Sequence, residues 1–250
     1  MNNYIKSDFF RLHKKRMSYV ITLLLAVLIV ALAVVLEYFA QTEADFPYGN
    51  SRFYYSNVFG MSGLSLLIIC FLATYLLWKD RLIIPTSISL GIDRRTIFIG
   101  KFVVTFIHFL IIVLILGSAT YLAGEFILTD KNDTVTLNFL ISLSNLLPLL
   151  ISALALCYSA TFIFNNEITA IIIVFLFYRG LALLIFGLSS VNENLSFIRE
   201  YVPASAMDQL LTDFMNGTVE IKIISWIINI FIALVVLFVG LKAVERKDFT

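Results

Sequence analysis

Long apolar segments constrain this chain more than any other feature of its sequence. A helix that crosses the hydrocarbon core of a bilayer needs about 20 residues, at a rise of about 1.5 Å per residue. Six segments satisfy this, and we predict spans at residues 17–36, 57–78, 102–124, 137–164, 168–190 and 223–241. A membrane β-barrel would instead show segments of about 10 residues with alternating polarity. The sequence therefore predicts an all-α, polytopic membrane protein, with residues 1–250 forming a single transmembrane domain.

The composition supports the same fold class. Of the 250 residues, 60% are hydrophobic and 14% are charged, whereas about 25% are charged in a typical soluble domain. The fourth and fifth spans are separated only by Asn165, Asn166 and Glu167, which predict a tight polar turn. Pro148 predicts either a kink or a break within the fourth span.

The basic residues indicate which side of the membrane each loop faces. Lys and Arg concentrate in the cytoplasmic loops of membrane proteins. Alternate connecting segments carry most of them: Lys6, Arg11, Lys14, Lys15 and Arg16, then Lys79, Arg81, Arg94, Arg95 and Lys101, then Lys242, Arg246 and Lys247. The other segments carry Arg52, Lys131, Arg199 and Lys222. We therefore expect both termini in the cytoplasm, as an even number of spans requires.

The N-terminal arm predicts an interfacial helix. Ile5, Phe9 and Leu12 recur at i, i+4 and i+7, with basic residues around them. Such a helix would lie along the inner leaflet with its apolar face toward the lipid.

The cytoplasmic loop after the second span also predicts a helix. Pro85 is a favourable residue for a first helical turn, and Ile88 and Ile92 would share one helical face. Arg94 and Arg95 are expected to end this segment.

The longest outer loop, residues 191–222, predicts an amphipathic helix that lies on the outer face or dips into it. Pro203 can open this helix and Gly217 can close it. Its apolar residues repeat at helical spacing: Met207, Leu210, Leu211, Phe214 and Met215.

Nucleotide binding and proteolysis are both disfavoured by the sequence. The glycines and lysine between Gly91 and Lys101 lack the spacing of a P-loop, so another subunit would hydrolyse any ATP that the protein uses.

The segment Gly60-Met61-Ser62-Gly63 matches the nucleophile pattern of rhomboid intramembrane proteases, whose Ser needs a nearby His. The second and third spans run in opposite directions, which separates Ser62 from His108 by over about 10 Å in depth. Small residues that let helices pack closely explain the pattern better.

We predict no catalytic residue, no metal site and no resident cofactor in the chain. Cys70 and Cys157 both lie inside apolar runs, where a free thiol behaves as a small hydrophobic group. The formal net charge of +1 does not bear on nucleic-acid binding, and we expect no nucleic-acid partner.

Arg179 is a strong charge near the middle of the fifth predicted span. An arginine at the bilayer centre costs at least about 2.5–3.5 kcal/mol on insertion scales. Because no Asp or Glu lies at this depth of another predicted span, we expect no buried ion pair within the chain. Two interpretations stay open: Arg179 faces a translocation pathway or a subunit interface, or it snorkels and bonds to structural groups.

The layout resembles the permease subunit of type-2 ABC exporters in its small bacterial, six-helix form. Asp8-Phe9-Phe10-Arg11-Leu12 before the first span resembles the interfacial elbow helix of that family. The segment from Ser87 to Arg95 resembles its cytoplasmic coupling helix. Residues 165–167 lie where the family has a second cytoplasmic contact, and residues 191–222 lie where it has re-entrant outer helices.

This resemblance implies a function in a bacterial plasma membrane. A separate ABC ATPase subunit would bind ATP and Mg²⁺, and a second permease copy or a homologous permease would complete the pathway, with Arg179 near it. The ATPase would contact Ile88, Leu90, Gly91, Ile92, Arg94 and Arg95, with exposed apolar side chains as the anchor and the arginines as charge contacts. Asn165, Asn166 and Glu167 would make the second contact. The cargo would be an amphipathic or antimicrobial peptide, or else a drug or a lipid. Export of an antimicrobial peptide would make the cell resistant to that peptide.

Two other functions stay open at this point. The chain could be a membrane immunity or anchor protein that acts without an ATPase, or an intramembrane enzyme. Binding to inner-leaflet lipid is the alternative explanation for Arg94 and Arg95. Co-purification with an ATPase separates the transporter from the immunity protein.

Overall fold

The computed structural model describes residues 2–14, 16–43, 46–78, 83–130, 132–164, 166–191, 196–199 and 201–247, and every regular element in them is helical. The elements are α1 (Asn2–His13), α2 (Arg16–Thr42), α3 (Ser51–Gly60), α4 (Ser62–Trp78), α5 (Ile83–Ser89), α6 (Arg94–Phe126), α7 (Asp133–Phe164), α8 (Glu167–Phe175), a π-helical turn (Leu176–Gly180), α9 (Leu181–Val191), α10 (Ser196–Arg199), α11 (Pro203–Asn216) and α12 (Ile223–Arg246).

Several of these helices can cross a membrane. In the described residues, α2, α6, α7, the continuous stretch Glu167–Ser190 and α12 are each long and apolar enough. The pair α3–α4 makes a further candidate, bent by 53°. The all-α fold predicted from the sequence is confirmed in the described residues. Five helices there are long and apolar enough to cross a membrane, or six if the bent pair crosses as one span, which fits the predicted membrane protein.

The second predicted span, residues 57–78, is wrong in its start and its shape. The helix begins at Ser51 and is interrupted at Met61, whose φ of −91° and ψ of 33° leave the helical region. Gly60 and Gly63 flank the interruption, and glycine has a weak helix preference. The first helix of the pair is polar enough that a search for apolar runs passes over most of it.

The central helix of the bundle is α7. Of its most apolar stretch, 61% is buried, against 11–28% in the other four unbroken candidate spans. The helices α12, α4, α8 and α11 all pack on it. Of the two outcomes predicted for Pro148, a break is excluded, because α7 continues through this residue.

The π-helical turn directs two neighbouring side chains to different partners. Tyr178 is buried, and its hydroxyl donates to the Leu149 carbonyl at 2.6 Å and lies 2.6 Å from Ser152 Oγ. Ser152 Oγ in turn donates to Asn229 Oδ1 at 3.1 Å, which links α7, the turn and α12. A π turn contains one residue more than an α turn, so it shifts which face the next residues occupy. Arg179, next in the chain, points to α11 instead.

One end of the bundle, called here the basic end, brings together α1, α5, the start of α6 and the C-terminal ends of α7 and α12. Lys247 Nζ donates to the carbonyls of Phe162 and Ile163 at the end of α7, at 2.9 and 2.7 Å. Arg94 Nη1 donates to the Glu245 carbonyl near the end of α12, at 3.1 Å. Cations are favourable at these positions because helix C-termini carry partial negative charge.

The predicted orientation of α1 is partly wrong. Leu12 is buried and Ile5 packs against the core, but Phe9 is exposed. The helix packs closely on α6, since a Cβ added at Gly100 would lie 2.9 Å from the ring of Tyr4. The face that the sequence assigned to lipid is therefore turned largely toward the protein.

The opposite end of the bundle contains α3, α11 and the segment of residues 217–222. The amphipathic helix predicted in the outer loop is confirmed as α11, with Pro203 in its first turn and Gly217 (φ 71°) as its left-handed cap. Its buried residues are Pro203, Ala204, Ala206, Met207, Leu210 and Phe214. The apolar face of α11 packs on α3 and α7.

Asn145 fixes the segment that leads from α11 into α12. Its Nδ2 donates to the Glu220 carbonyl at 2.7 Å, and the Lys222 amide donates to its Oδ1 at 3.0 Å. We expect Asn145→Ala to remove both bonds and to cost about 1–2 kcal/mol of local stability. Hydrogen–deuterium exchange should then rise at residues 218–222, whereas Asn138→Ala, earlier in α7, should leave it unchanged. Unaltered exchange in Asn145→Ala would contradict this role.

Candidate coupling surface and membrane arginine

The segment after α5 presents an apolar tip at the basic end. Leu90 is 77% exposed, and it follows directly on the last residue of α5. Gly91 has a φ of 86°, a left-handed conformation that favours glycine, and it turns the chain toward α6. The Gly91 amide donates to the Ile88 carbonyl at 2.9 Å, and the Ile92 amide donates to Ser87 at 3.1 Å, so the tip is a closed, hydrogen-bonded turn.

The two isoleucines predicted to share the exposed anchor are only partly exposed. Ile88 and Ile92 pack against a buried cluster formed by Leu77, Ile84, Ile97, Phe98, Tyr158, Phe162 and Val244. The expectation that they extend outward with Leu90 is wrong, because their shared face packs against the ends of α6, α7 and α12. Leu90 is left as the outward-facing apolar side chain of the three.

Arg94 and Arg95 begin α6 and do not end the preceding helix, which corrects the predicted boundary. Arg94 is partly buried and holds the end of α12 through the Glu245 carbonyl. Arg95 is exposed beside the tip. The two arginines therefore differ in kind: reversing the charge of Arg94 would disturb an intramolecular contact, and reversing that of Arg95 would change the surface.

The predicted second contact lies at the start of α8. Asn166 is the N-cap of this helix, and its side-chain oxygen accepts from the amides of Ile168 and Thr169 at 2.9 and 3.3 Å. Glu167, the first residue of α8, is partly buried, and its carboxylate suits a helix N-terminus. Asn165 lies outside the described residues.

A buried ion pair at the basic end escaped the sequence analysis. Lys101 Nζ lies 3.0 Å from Asp8 Oδ1, with side chains 2% and 6% exposed. Arg11 also pairs with this carboxylate from the same helix. Lys101 looked like one more cation at a membrane boundary, but it ties α1 to α6. The sequence feature that could have predicted this ion pair is Asp8 itself, an acidic residue within a strongly basic arm.

Arg179 has an acidic partner within the chain that was not predicted from the sequence, although the pair is not a buried one. Its Nη1 lies 2.9 Å from Asp208 Oδ2 of α11, and the two side chains are 43% and 60% exposed. This partner was missed because Asp208 belongs to no predicted span. Since α11 packs on the π-helical turn and on α9, it carries Asp208 down to the depth of Arg179.

His108 is engaged with α2. Its Nε2 lies 2.6 Å from Ser18 Oγ, and both side chains are buried. The ring also makes an edge contact with Tyr19, at 5.8 Å between centroids. A substrate could reach Ser18 Oγ only after α2 and α6 separated, so the pair stabilises helix packing.

No protein-family model, curated protein or solved structure is significantly similar to this chain. Its function is therefore inferred from its own residues. Two candidate functional features stand out in the described residues: the exposed tip at the basic end and the Arg179–Asp208 pair.

Proposed function

We propose that this protein is the membrane-spanning subunit of an ABC-type exporter, and that a separate ATPase docks on the tip between α5 and α6. The observation that carries the proposal is Leu90, 77% exposed on a hydrogen-bonded turn at the basic end. Burying a leucine side chain contributes about 1.5–3 kcal/mol. An apolar side chain held in this way suits insertion into a groove on a partner.

The basic end is proposed to face the cytoplasm. Its described cations include Lys6, Arg16, Arg95, Lys242 and Arg246, and such residues favour the cytoplasmic side. An ATPase works in that compartment, so the tip and its partner would meet. Exposed Arg95 supplies a charge contact at the edge of the docking site.

The tip is well placed to transmit motion into the bundle. Ile88 and Ile92 press on the ends of α6, α7 and α12, and the turn at Gly91 leads into α6 without a flexible linker. Arg94 adds a direct bond from the start of α6 to the end of α12. When the ATPase closes around ATP and Mg²⁺, which it binds and this chain does not, a push on the tip would move all three helices together.

Further contacts complete the proposed transporter. Asn165, Asn166 and Glu167 form the second cytoplasmic contact, and Arg179 lies at the translocation pathway or at the interface with a second permease. The proposed location is a bacterial plasma membrane. The proposed cargo is an amphipathic or antimicrobial peptide, with a drug or a lipid as the alternative.

The decisive experiment changes the tip and measures coupling. The chain is co-expressed with candidate ABC ATPase subunits from the same genome, and ATPase retention, ATPase stimulation and peptide uptake into inverted vesicles are measured. We expect Leu90→Asp to weaken ATPase binding at least about tenfold, since 1.4 kcal/mol corresponds to a factor of ten. Arg95→Glu should lower stimulation and uptake together.

Matched controls use exposed residues of α1. Phe10→Asp and Lys6→Glu make the same kinds of change at the basic end but away from the tip, and they should leave ATPase binding intact. Normal coupling in both tip variants would refute the proposal. A wild-type chain that retains no ATPase yet protects cells from a peptide would favour the immunity protein.

A further inference from the structure

The fifth candidate span, Glu167–Ser190, changes its packing at the π-helical turn. Before the turn, Ala170 and Val174 of α8 are fully buried, and α8 packs on α7 and α4. After the turn, no side chain of residues 181–190 is buried, and the main neighbours of α9 are the turn itself, α10 and α11. The first half of this span is therefore fixed to the central helix, whereas the second half is held mainly by the helices of the outer loop.

The turn differs from a regular α-helix in one backbone hydrogen bond. The Leu181 amide donates to the Leu176 carbonyl, five residues earlier, whereas in an α-helix it would donate to the Phe177 carbonyl, four residues earlier. The segment contains no proline that would remove the α-helical bond. A return to α-helical bonding is therefore open to this backbone. It would rotate α9 about its axis by about 100°, the angle that one residue turns in an α-helix.

Tyr178, in the middle of the turn, makes the contacts that favour the π-helical form. Its side chain is fully buried, and its hydroxyl donates to the Leu149 carbonyl at 2.6 Å and lies 2.6 Å from Ser152 Oγ. Ser152 Oγ donates to Asn229 Oδ1 at 3.1 Å, so the contact extends to α12. A hydroxyl that left these partners would lose its hydrogen bonds without reaching water, which is unfavourable in an apolar interior.

We infer that the π-helical turn is a hinge and that the Tyr178 hydroxyl is its latch. In the latched state the turn is π-helical and Tyr178 is bonded to α7. In the released state the Leu181 amide bonds to the Phe177 carbonyl and α9 is rotated, while α8 keeps its place on α7. The hinge separates the well-packed half of the span from the half that buries no side chain among residues 181–190.

Asn229 connects the latch to the rest of the bundle. It lies on α12, whose other end accepts the bond from Arg94 beside the tip. A movement of α12 along α7 would separate Asn229 from Ser152 and weaken the latch. In the proposed transporter, this contact would let the basic end change the rotation of α9. The hinge goes beyond that function and does not depend on it, because its test uses the chain without an ATPase.

Distances between spin labels test the hinge. Nitroxide labels are attached to cysteines placed at the exposed positions Leu183 of α9 and Leu234 of α12, and their distance is measured by pulsed electron paramagnetic resonance in nanodiscs. The native Cys70 and Cys157 are fully buried and stay unlabelled in the folded chain. Side-chain ends lie about 5–6 Å from a helix axis, so the rotation moves the label on α9 by about 8 Å. We expect Tyr178→Phe to raise the ratio of displaced to original distance about five- to tenfold, the effect of two hydrogen bonds lost in an apolar interior.

Two controls separate the hinge from a general loosening of the bundle. Tyr158→Phe removes an equally buried hydroxyl that donates to a backbone carbonyl away from the turn, and it should leave the ratio unchanged. A label at Ile172 of α8, in place of Leu183, should keep one distance to Leu234 in every variant. A ratio in Tyr178→Phe equal to that in Tyr158→Phe would overturn the inference. A displaced distance at Ile172 as well would show that the whole span moves, which would also overturn it.

Ser152→Ala tests the latch from α7 without changing the fifth span. Tyr178 keeps its bond to the carbonyl of α7, so the ratio should lie between those of the wild type and of Tyr178→Phe. A wild-type ratio would overturn the connection through α12, and a ratio above that of Tyr178→Phe would overturn the role of the Tyr178 hydroxyl. The same order of variants is expected when the reference label is moved from Leu234 to Val27, exposed on α2.

Discussion

Replacing Asp8 with alanine is expected to lower the free energy of unfolding by about 3–5 kcal/mol, the usual cost of removing one partner from a buried ion pair. The reason is the position of Lys101, whose side chain is 2% exposed and donates to Asp8 Oδ1 at 3.0 Å. Without this carboxylate, a buried ammonium loses a negative charge that offsets its desolvation. Arg11, less buried, can turn toward water and should contribute little to the loss.

The opposite substitution should cost less. Lys101→Met removes the buried cation, and Asp8 keeps its pair with Arg11. The double variant Asp8→Ala/Lys101→Met should recover most of the stability that Asp8→Ala loses, since replacing a buried pair by apolar groups is often close to neutral. This order of effects distinguishes a buried pair from a simple packing contact.

The thiols of the protein offer a direct measurement. Cys70 and Cys157 are buried, so a thiol-reactive dye reports unfolding in detergent as temperature rises. Asp93→Ala is the matched control, because Asp93 is exposed and makes no side-chain cap bond at the start of α6. An unfolding midpoint for Asp8→Ala equal to that of Asp93→Ala would show that the pair contributes nothing.

The pair also bears on the proposed mechanism. Lys101 lies two turns into α6, the helix that the tip at Leu90 leads into. Through Asp8, a movement of α6 would carry α1 with it. In the proposed mechanism, α1 and the tip at Leu90 would therefore move together.

Sequence reasoning succeeded where a local pattern determines the structure. Apolar runs located the candidate spans, apart from the start and the bend of the second, because a span needs length and hydropathy and little else. The helical spacing from Met207 to Phe214, opened by Pro203 and closed by Gly217, located α11 correctly. In these cases the residues that determine the structure are the same residues whose pattern predicts it.

It failed where the structure depends on a contact between distant segments. Asp208 meets Arg179 because α11 folds back against the fifth span, and no local feature of either residue encodes that return. The exposure of Leu90 compared with Ile88 depends on which face the ends of α6, α7 and α12 cover. Helical periodicity places the isoleucines on one face but does not say what that face meets.

Close packing of α12 on α7 leads to the second large effect, in Gly240→Leu. A Cβ added at Gly240 would lie 2.7 Å from Ser159 Oγ, 2.8 Å from Ser159 Cβ and 3.0 Å from Phe98 Cζ. A Cβ atom does not lie this close to non-bonded heavy atoms in proteins, so α12 has to move away from α7. Overpacking of this kind costs about 1–3 kcal/mol, and we expect leucine to reach the upper end of that range.

Smaller substitutions at the Gly240–Ser159 contact should have smaller effects on stability. Alanine at Gly240 gains up to about 1 kcal/mol of helix preference but meets the same atoms, so it should still destabilise. Ser159→Gly removes both close atoms of that side chain, and combined with Gly240→Ala it should restore most of the loss. In Gly187→Ala the new Cβ meets nothing within 4 Å, so this control should be neutral or slightly stabilising in the same dye assay. If Gly240→Ala matched Gly187→Ala, α12 could shift away from α7 at no cost, and the two helices would not form a tightly packed centre of the bundle.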